Sequence, residues 1–189
     1  MNYRVGVFVI LLSLGTIMGY AQNNKETYIK GNAATLLIGM PHFGVETSLG
    51  AKSTFQIDAI ASFWESINRS PLKFLIITPE YRYYFKQRFQ GWYAGAHLGG
   101  TTFKLSKFFR KNSAYQKGVG YTLGATIGFQ KKISHRVNLD FFLGGGMHQG
   151  FYKGYNRETG DRGDGAIKYN KSGEWFPYRG GLMLSYKLN

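Results

Sequence analysis

From about residue 29 onward, apolar and polar side chains alternate along the chain, and turn-forming residues interrupt the alternation at intervals. Phe55, Ile57 and Ala59 fall on one face of this pattern, and Gln56 and Asp58 fall on the other. A period of two is typical of β-strands, whose successive side chains point to opposite faces. The pattern predicts eight strands, at residues 29–39, 42–49, 54–64, 73–85, 90–103, 116–130, 136–149 and 175–188.

The connections between these predicted strands differ in length in a regular way. Short connections are predicted at 50–53, 86–89 and 131–135, and longer ones at 65–72, 104–115 and 150–174. Met40–Pro41 is an exception, because it is short where the alternation requires a long loop. Short turns at one end, together with both termini, and long loops at the other are typical of outer-membrane barrels.

We therefore predict an all-β fold, an eight-stranded antiparallel up-and-down transmembrane β-barrel. The barrel domain is predicted to span residues 29–189, after a short N-terminal tail at 22–28. Alternation alone does not say whether the apolar face points outward, as in a membrane barrel, or inward, as in a secreted ligand-binding barrel of the lipocalin type. The second reading stays open as an alternative.

The polar face of the pattern favours the membrane orientation. An eight-stranded barrel has an interior just wide enough for side chains, so charges of opposite sign on its inner face can pair and fill it. We predict such a charge network from the inward positions Glu46, Asp58, Glu80, Arg82, His97, Asp140, Arg179 and Lys187.

The first 21 residues resemble a secretory signal peptide. Arg4 precedes an apolar stretch from Val5 to Met18, and small residues follow at Gly19 and Ala21. This order predicts cleavage after Ala21, a mature chain that begins at about Gln22, and export to the outer membrane of a Gram-negative cell. The sequence contains no cysteine, which excludes disulfides and thiol-based sites.

Four segments carry a family resemblance: FGVETSLG, KFLIITPEYRYYF, GWYAGAHLGG and the closing GGLMLSYKLN. They resemble a family of small Gram-negative outer-membrane β-barrels catalogued as a domain of unknown function, and the similarity extends from Lys30 to Asn189. The most specific part runs from Pro79 to Tyr83, with Glu80 and Arg82 on one face. The resemblance implies the eight-stranded barrel and no particular activity, substrate or cofactor.

The last predicted strand resembles the signal by which the barrel-assembly machinery recognises its clients. Its elements are the polar Arg179, followed by Gly181, Leu184 and Tyr186 at the spacing of that signal. Such a strand presents an unpaired edge, which closure of the barrel removes. We therefore expect the assembly machinery to be a partner during biogenesis.

The chain is strongly basic, with 24 Lys and Arg against 10 Asp and Glu and a formal net charge of +14. Basic residues are concentrated in one predicted outer loop, where two aromatic residues lie among them. Because lipopolysaccharide phosphates are anionic, this loop is predicted to contact lipopolysaccharide. Nucleic-acid binding is not expected for an exported chain. The loop residues are Lys104, Lys107, Phe108, Phe109, Arg110, Lys111 and Lys117.

No motif in the sequence predicts catalysis or metal binding. The histidines at 42, 97, 135 and 148 have neither an HExxH nor a GxSxG context. His148, with a hydroxyl such as Thr101 or Ser113, leaves an outer-membrane lipid-modifying enzyme open as an alternative. The sequence favours a non-enzymatic barrel without a cofactor or metal, with a filled interior and cationic outer loops. The oligomeric state is not predicted.

Overall fold

The computed structural model describes residues 25–65, 71–106, 114–163 and 170–189. These residues form eight strands and one short helix. The predicted signal peptide lies outside the described residues. The elements are β1 (Thr27–Asn32), α1 (Ala33–Leu37), β2 (His42–Ser48), β3 (Ser53–Glu65), β4 (Pro71–Tyr84), β5 (Gly91–Leu105), β6 (Ala114–Lys132), β7 (Val137–Asn156) and β8 (Asn170–Lys187).

Each strand pairs antiparallel with the next in chain order, and β1 also pairs with β8, so the sheet closes on itself as a barrel. At one end, which we call the turn end, the strands are joined by 49–52, 85–90 and 133–136. At the opposite end, which we call the loop end, β1, β3, β5 and β7 end and β2, β4, β6 and β8 begin. The predicted up-and-down order of eight antiparallel strands is confirmed.

The first predicted strand, 29–39, is wrong beyond Asn32, where the chain leaves the sheet and forms α1. The Asn32 side chain caps this helix, because its Oδ1 accepts hydrogen bonds from the backbone N–H groups of Ala34 and Thr35. Residues 33–38 are apolar except for Thr35, so they lack the alternation of apolar and polar side chains that is typical of a strand. This change also removes the anomaly at Met40–Pro41, because the β1–β2 connection is a loop of nine residues, 33–41.

At the loop end, all six strands from β3 to β8 begin earlier or continue further than predicted. β7 extends to Asn156 and β8 begins at Asn170, so the predicted long loop 150–174 is shorter.

Strand β4 contains Pro79, which pairs with Ile57 of β3. The pairing of β4 with β5 is interrupted at Thr78 and Pro79. A proline has no backbone N–H to donate to a neighbouring strand. Pro79 lies where β4 is not paired with β5, so the sheet loses no hydrogen bond there.

The two faces of the wall differ sharply in composition. On β3, Thr54, Gln56 and Asp58 are buried inside the barrel, whereas Ile57 and Phe63 are exposed on the outside. The same alternation continues on β4 to β7. The inside of the barrel is therefore polar and buried, and the outside is apolar and exposed.

Glycines on the inner face make room for the largest inward side chains. At Gly128 of β6, a Cβ atom would lie 2.4 Å from the ring of Tyr93. Real Cβ atoms do not approach other atoms so closely, so Tyr93 can cross the interior only because position 128 has no side chain. In the parts of the chain that the structure describes, no helix has the length and apolar character of a membrane span.

Candidate functional site

Arg82 lies at the centre of the barrel interior and is fully buried. Its Nη2 lies 2.9 Å from Oε2 of Glu80, and its Nη1 lies 2.8 Å from Oδ2 of Asp140. A longer contact of 3.4 Å joins Nη1 to Glu46. The guanidinium also stacks on Tyr93, with Cζ 4.5 Å from the ring centroid. Three carboxylates from three different strands therefore converge on one cation.

Lys30 is a second buried cation in the same layer, and it is absent from the charge network predicted from the sequence. Its Nζ lies 2.7 Å from Glu46 and 2.5 Å from Asp140, and it also donates to Gln56 at 2.9 Å. Because strand positions alternate, Lys30 shares the inner face with Asn32. That parity within the predicted strand was a signal that could have identified it.

A second cluster lies next to the first on the loop-end side. Nη2 of Arg179 lies 2.7 Å from Oδ2 of Asp58 and 3.2 Å from Oε2 of Glu80. His42, which the sequence analysis also did not include, places Nε2 3.0 Å from Oδ1 of Asp58. Because Glu80 contacts both Arg82 and Arg179, the two clusters form one connected network.

Aromatic hydroxyls add further polar contacts to this network. Tyr93 donates to Oδ1 of Asp140 at 2.9 Å, and the hydroxyl of Tyr84 lies 2.8 Å from Oε1 of Glu46. Both tyrosines are fully buried. Tyr84 shares strand parity with Arg82 on β4, and Tyr93 shares it with His97 on β5, so their inward position was also implicit in the alternation. Side chains therefore fill the barrel at this level.

His97 is buried in the interior but takes no part in the ion pairs. Its Nε2 lies 2.6 Å from the hydroxyl of Tyr178, and its Nδ1 lies 3.1 Å from Oγ1 of Thr126. Nearer the loop end, Nε2 of His148 lies 3.2 Å from Oγ1 of Thr101. Thr101 is only 6% exposed and belongs to the inner face. The hydroxyl and the histidine that the enzyme alternative requires, those of Thr101 and His148, therefore lie close together, but in the barrel interior.

Lys187 is the member of the predicted network that lies apart from it. It binds Glu26 at the turn end, with an Nζ–Oε1 distance of 2.5 Å. Arg88 binds the other oxygen of Glu26 at 2.9 Å. The side chains of Lys187 and Glu26 remain 26% and 31% exposed. Lys187 therefore stabilises the turn end, and none of the ion pairs of the interior carboxylates among the described residues involves it.

An aromatic residue closes the turn end beside this group. Phe89 has a positive φ of 62°, which costs free energy in a residue with a side chain. The ring is 4% exposed and packs on Tyr28, with a centroid separation of 4.5 Å. This packing compensates for the unfavourable backbone conformation and covers the interior from the turn end.

The pKa of Glu26 leads to a prediction about acid stability. Partial burial raises the pKa, but the hydrogen bonds and charges of Lys187 and Arg88 outweigh it and hold the pKa below its usual range. Because the folded-state pKa is depressed, Glu26 stabilises the fold above its unfolded pKa of ~4.3, and this contribution disappears as the pH falls through the folded value. Urea unfolding of Glu26→Gln should therefore show a shallower loss of stability between about pH 6 and pH 3 than the parent. Parallel curves would contradict the prediction.

Of the predicted loop residues, only Lys104 and Lys117 are described. Lys107, Phe108, Phe109, Arg110 and Lys111 lie outside the described residues. Lys104 and Lys117 are not in a loop but on β5 and β6, where they are directly opposite each other. Nζ of Lys104 lies 4.4 Å from the ring centroid of Tyr115. Both lysines share strand parity with the apolar outer residues, so they belong to the outside of the wall.

The residues of the predicted assembly signal lie on the strand that closes the barrel. Leu184 and Tyr186 are 53% and 44% exposed on the outer face. Gly181 has a φ of 147°, and a Cβ atom at this position would lie 2.4 Å from Nδ2 of Asn32. A glycine at this position therefore permits the close approach of the Asn32 side chain, which also bonds the backbone of Gly180 and Leu182.

Comparison with known proteins adds one finding about ancestry. No curated protein and no solved structure matches the chain. The sequence profile of one family, described as protein of unknown function (DUF3575), matches residues 7–188. Because this match covers nearly the whole sequence, the chain belongs to the DUF3575 family.

Proposed function

We propose that the chain is a small, non-enzymatic outer-membrane β-barrel with a closed interior, whose loop end contacts lipopolysaccharide. The observation that carries the proposal is the composition of the outer face. Between a row of lysines near the loop end and Lys131 near the turn end, the outward positions of β1 to β7, and those of β8 from Gly173 to Tyr186, carry no Asp, Glu, Lys or Arg. In a water-soluble barrel such a belt would remain in contact with solvent.

The height of this belt fits a lipid bilayer. Fourteen residue steps separate Lys117 from Lys131 on β6. At ~3.3 Å per residue and a strand tilt of ~45°, these steps correspond to ~33 Å along the barrel axis. The hydrocarbon core of a bilayer is ~30 Å thick, and lysine side chains can extend to its surface. Aromatic residues such as Trp92 and Tyr83, both exposed near the turn end, suit the interfacial girdle.

The interior supports a structural or interaction role over a pore. Arg82, Glu80, Glu46 and Asp140 have no exposed surface, so solvent does not reach the centre of the network. Phe89 covers the turn end. A solute would have to displace a set of paired charges to pass, and breaking buried pairs is costly. The interior therefore acts as a plug that stabilises the barrel.

The topology supports an orientation with the turn end in the periplasm. Short turns and both chain ends lie together there, as in outer-membrane barrels that the assembly machinery inserts. The loop end then faces the cell exterior, where lipopolysaccharide phosphates lie. Lys104 and Lys117 at this end supply positive charge. Thr101 and His148 lie on the inner face, away from bilayer lipid, which favours the non-enzymatic reading.

Fractionation of cells that express the chain with and without residues 1–21 tests this proposal. The full chain should be recovered in the outer membrane with an N-terminus near Gln22. It should also migrate faster before boiling than after, since a closed barrel resists the detergent used for electrophoresis. Recovery of the processed chain as a soluble periplasmic protein would overturn the membrane assignment and favour the lipocalin-type alternative.

A further inference from the structure

Four lysines occupy one continuous row on the outer face near the loop end. Lys73 of β4 is directly opposite Lys104 of β5, Lys104 is opposite Lys117 of β6, and Lys117 is opposite Lys153 of β7. All four share the parity of the outward residues on their strands. Because neighbouring strands lie ~4.8 Å apart, the row spans only ~14 Å.

Such a row is unfavourable for the barrel by itself. Like charges directly opposite each other on neighbouring strands destabilise a sheet, and this row contains three such pairs in succession. Their separation is shorter than the Debye length of ~8 Å at physiological ionic strength, so salt screens the repulsion incompletely. None of the ion pairs between described residues involves Lys73, Lys104 or Lys117. An external anion would relieve this repulsion.

The surroundings of the row indicate what kind of anion fits. One outward step toward the turn end, the same four strands carry Leu75, Thr102, Val119 and Phe151 in register. As far as the level of Lys131, the outward positions below them on these strands are uncharged and mostly apolar, with Gln149 of β7 as the polar exception. One outward step toward the loop end, Tyr115 and Tyr155 stack with their centroids 5.3 Å apart. A ligand that follows this surface must be anionic at the lysine row and apolar below it.

We propose that Lys73, Lys104, Lys117 and Lys153 form a side-on binding site for the phosphate groups of an anionic lipid. The headgroup phosphates lie against the lysine row, and the acyl chains run down the apolar wall of β4 to β7. This site rests on the proposed membrane location. It differs from the predicted loop contact, because it is built on the barrel wall and includes Lys73 and Lys153, which are distant from that loop in sequence.

Two variants with equal loss of charge test the site. The test variant replaces Lys73, Lys104 and Lys117 with glutamine. The control variant replaces Lys86, Lys131 and Lys132, which are exposed at the turn end, with glutamine. Each protein is purified as a folded barrel, which heat-modifiable migration verifies, and is placed in neutral detergent with a fluorescent lipid A probe. Competition by phosphatidylglycerol and by inorganic phosphate then separates a lipid headgroup from free phosphate as the source of the anion.

The parent and the control variant should bind lipid A with similar affinity, and the test variant should bind roughly 100-fold more weakly. This factor follows from about fivefold for each lysine near an anionic lipid. Phosphatidylglycerol should compete and inorganic phosphate should not, because it lacks the apolar part. Equal binding by the parent and the test variant would overturn the site. Failure of the parent to insert into vesicles would instead overturn the proposed membrane function, so the two failures are distinguishable.

A single substitution gives a second test that does not depend on lipid A affinity. Lys104 has a lysine on both sides, so Lys104→Gln removes two repulsive pairs. In vesicles of phosphatidylcholine alone, which has no net charge, the variant should unfold at a higher urea concentration than the parent. In vesicles that contain phosphatidylglycerol, the order should reverse, because the parent gains the anion. The same order in both vesicles would contradict the site.

Discussion

Replacement of Arg82 by alanine is expected to lower the free energy of unfolding by ~3–5 kcal/mol, the typical cost of removing one partner from a buried ion pair. Arg82 is fully buried and contacts Glu80, Asp140 and Glu46. Lys30 still binds Asp140 and Glu46 in the variant, whereas Glu80 keeps only its 3.2 Å contact with Arg179. Glu80 is therefore the carboxylate that loses most of its pairing. Urea unfolding of the barrel in detergent micelles measures the change.

A partner substitution and a surface control make this result specific to buried charge. Arg82→Met should be nearly as costly as Arg82→Ala. The combination of Arg82→Met with Glu80→Gln should recover part of the stability, because the second change removes the carboxylate that has lost most of its pairing. Arg88→Ala breaks a pair that is about 30% exposed and should cost less than ~1 kcal/mol. If Arg82→Ala unfolds at the same urea concentration as the parent, the network is accessible to water and does not plug the barrel.

The sequence was sufficient to predict which face of a strand each side chain occupies. It was not sufficient to predict which side chains of other strands each one contacts. Glu80 and Arg82 are two residues apart, so alternation places both on the inner face, and the structure brings them together at 2.9 Å. Which other carboxylates reach Arg82 depends on the registers of β2, β4 and β7, and these are determined by loops and by packing. If Glu80 and Arg82 were exchanged, the carboxylate at position 82 would lie beside Glu46 and Asp140 and repel them. This repulsion cannot be foreseen from the sequence of the two residues alone.

Long-range register also explains why the lysine row was not predicted. Lys104 is predicted at the start of the basic loop 104–115 and Lys117 near the start of the strand 116–130, and their charge groups both of them with that loop. The strands on both sides extend further than predicted, and their pairing aligns these lysines with Lys73 and Lys153.

The error in the first predicted strand has a different cause. The Asn32 side chain bonds both the start of α1 and the backbone of β8, and the second contact is not visible in local sequence.

An arginine on the outer wall provides the most direct test of the membrane location. Leu123 lies on β6 about midway between Lys117 and Lys131, and it is 52% exposed on the outer face. In a bilayer this position lies near the midplane, where arginine on a barrel surface costs ~2–4 kcal/mol. In a soluble barrel the same side chain would reach water, and a surface substitution would change stability by less than ~0.5 kcal/mol.

The chain offers a control with similar exposure outside the belt. Ile133 is 56% exposed in the turn between β6 and β7, so Ile133→Arg should have little effect in either environment. Unfolding by urea from phosphatidylcholine vesicles should therefore separate Leu123→Arg from Ile133→Arg by ~2–4 kcal/mol. The separation should shrink when arginine is moved from Leu123 along β6 toward either lysine, because the cost falls with distance from the midplane. Equal stability of the two arginine variants would mean that the apolar wall faces water, and the lysine row would then lose the lipid that it is proposed to bind.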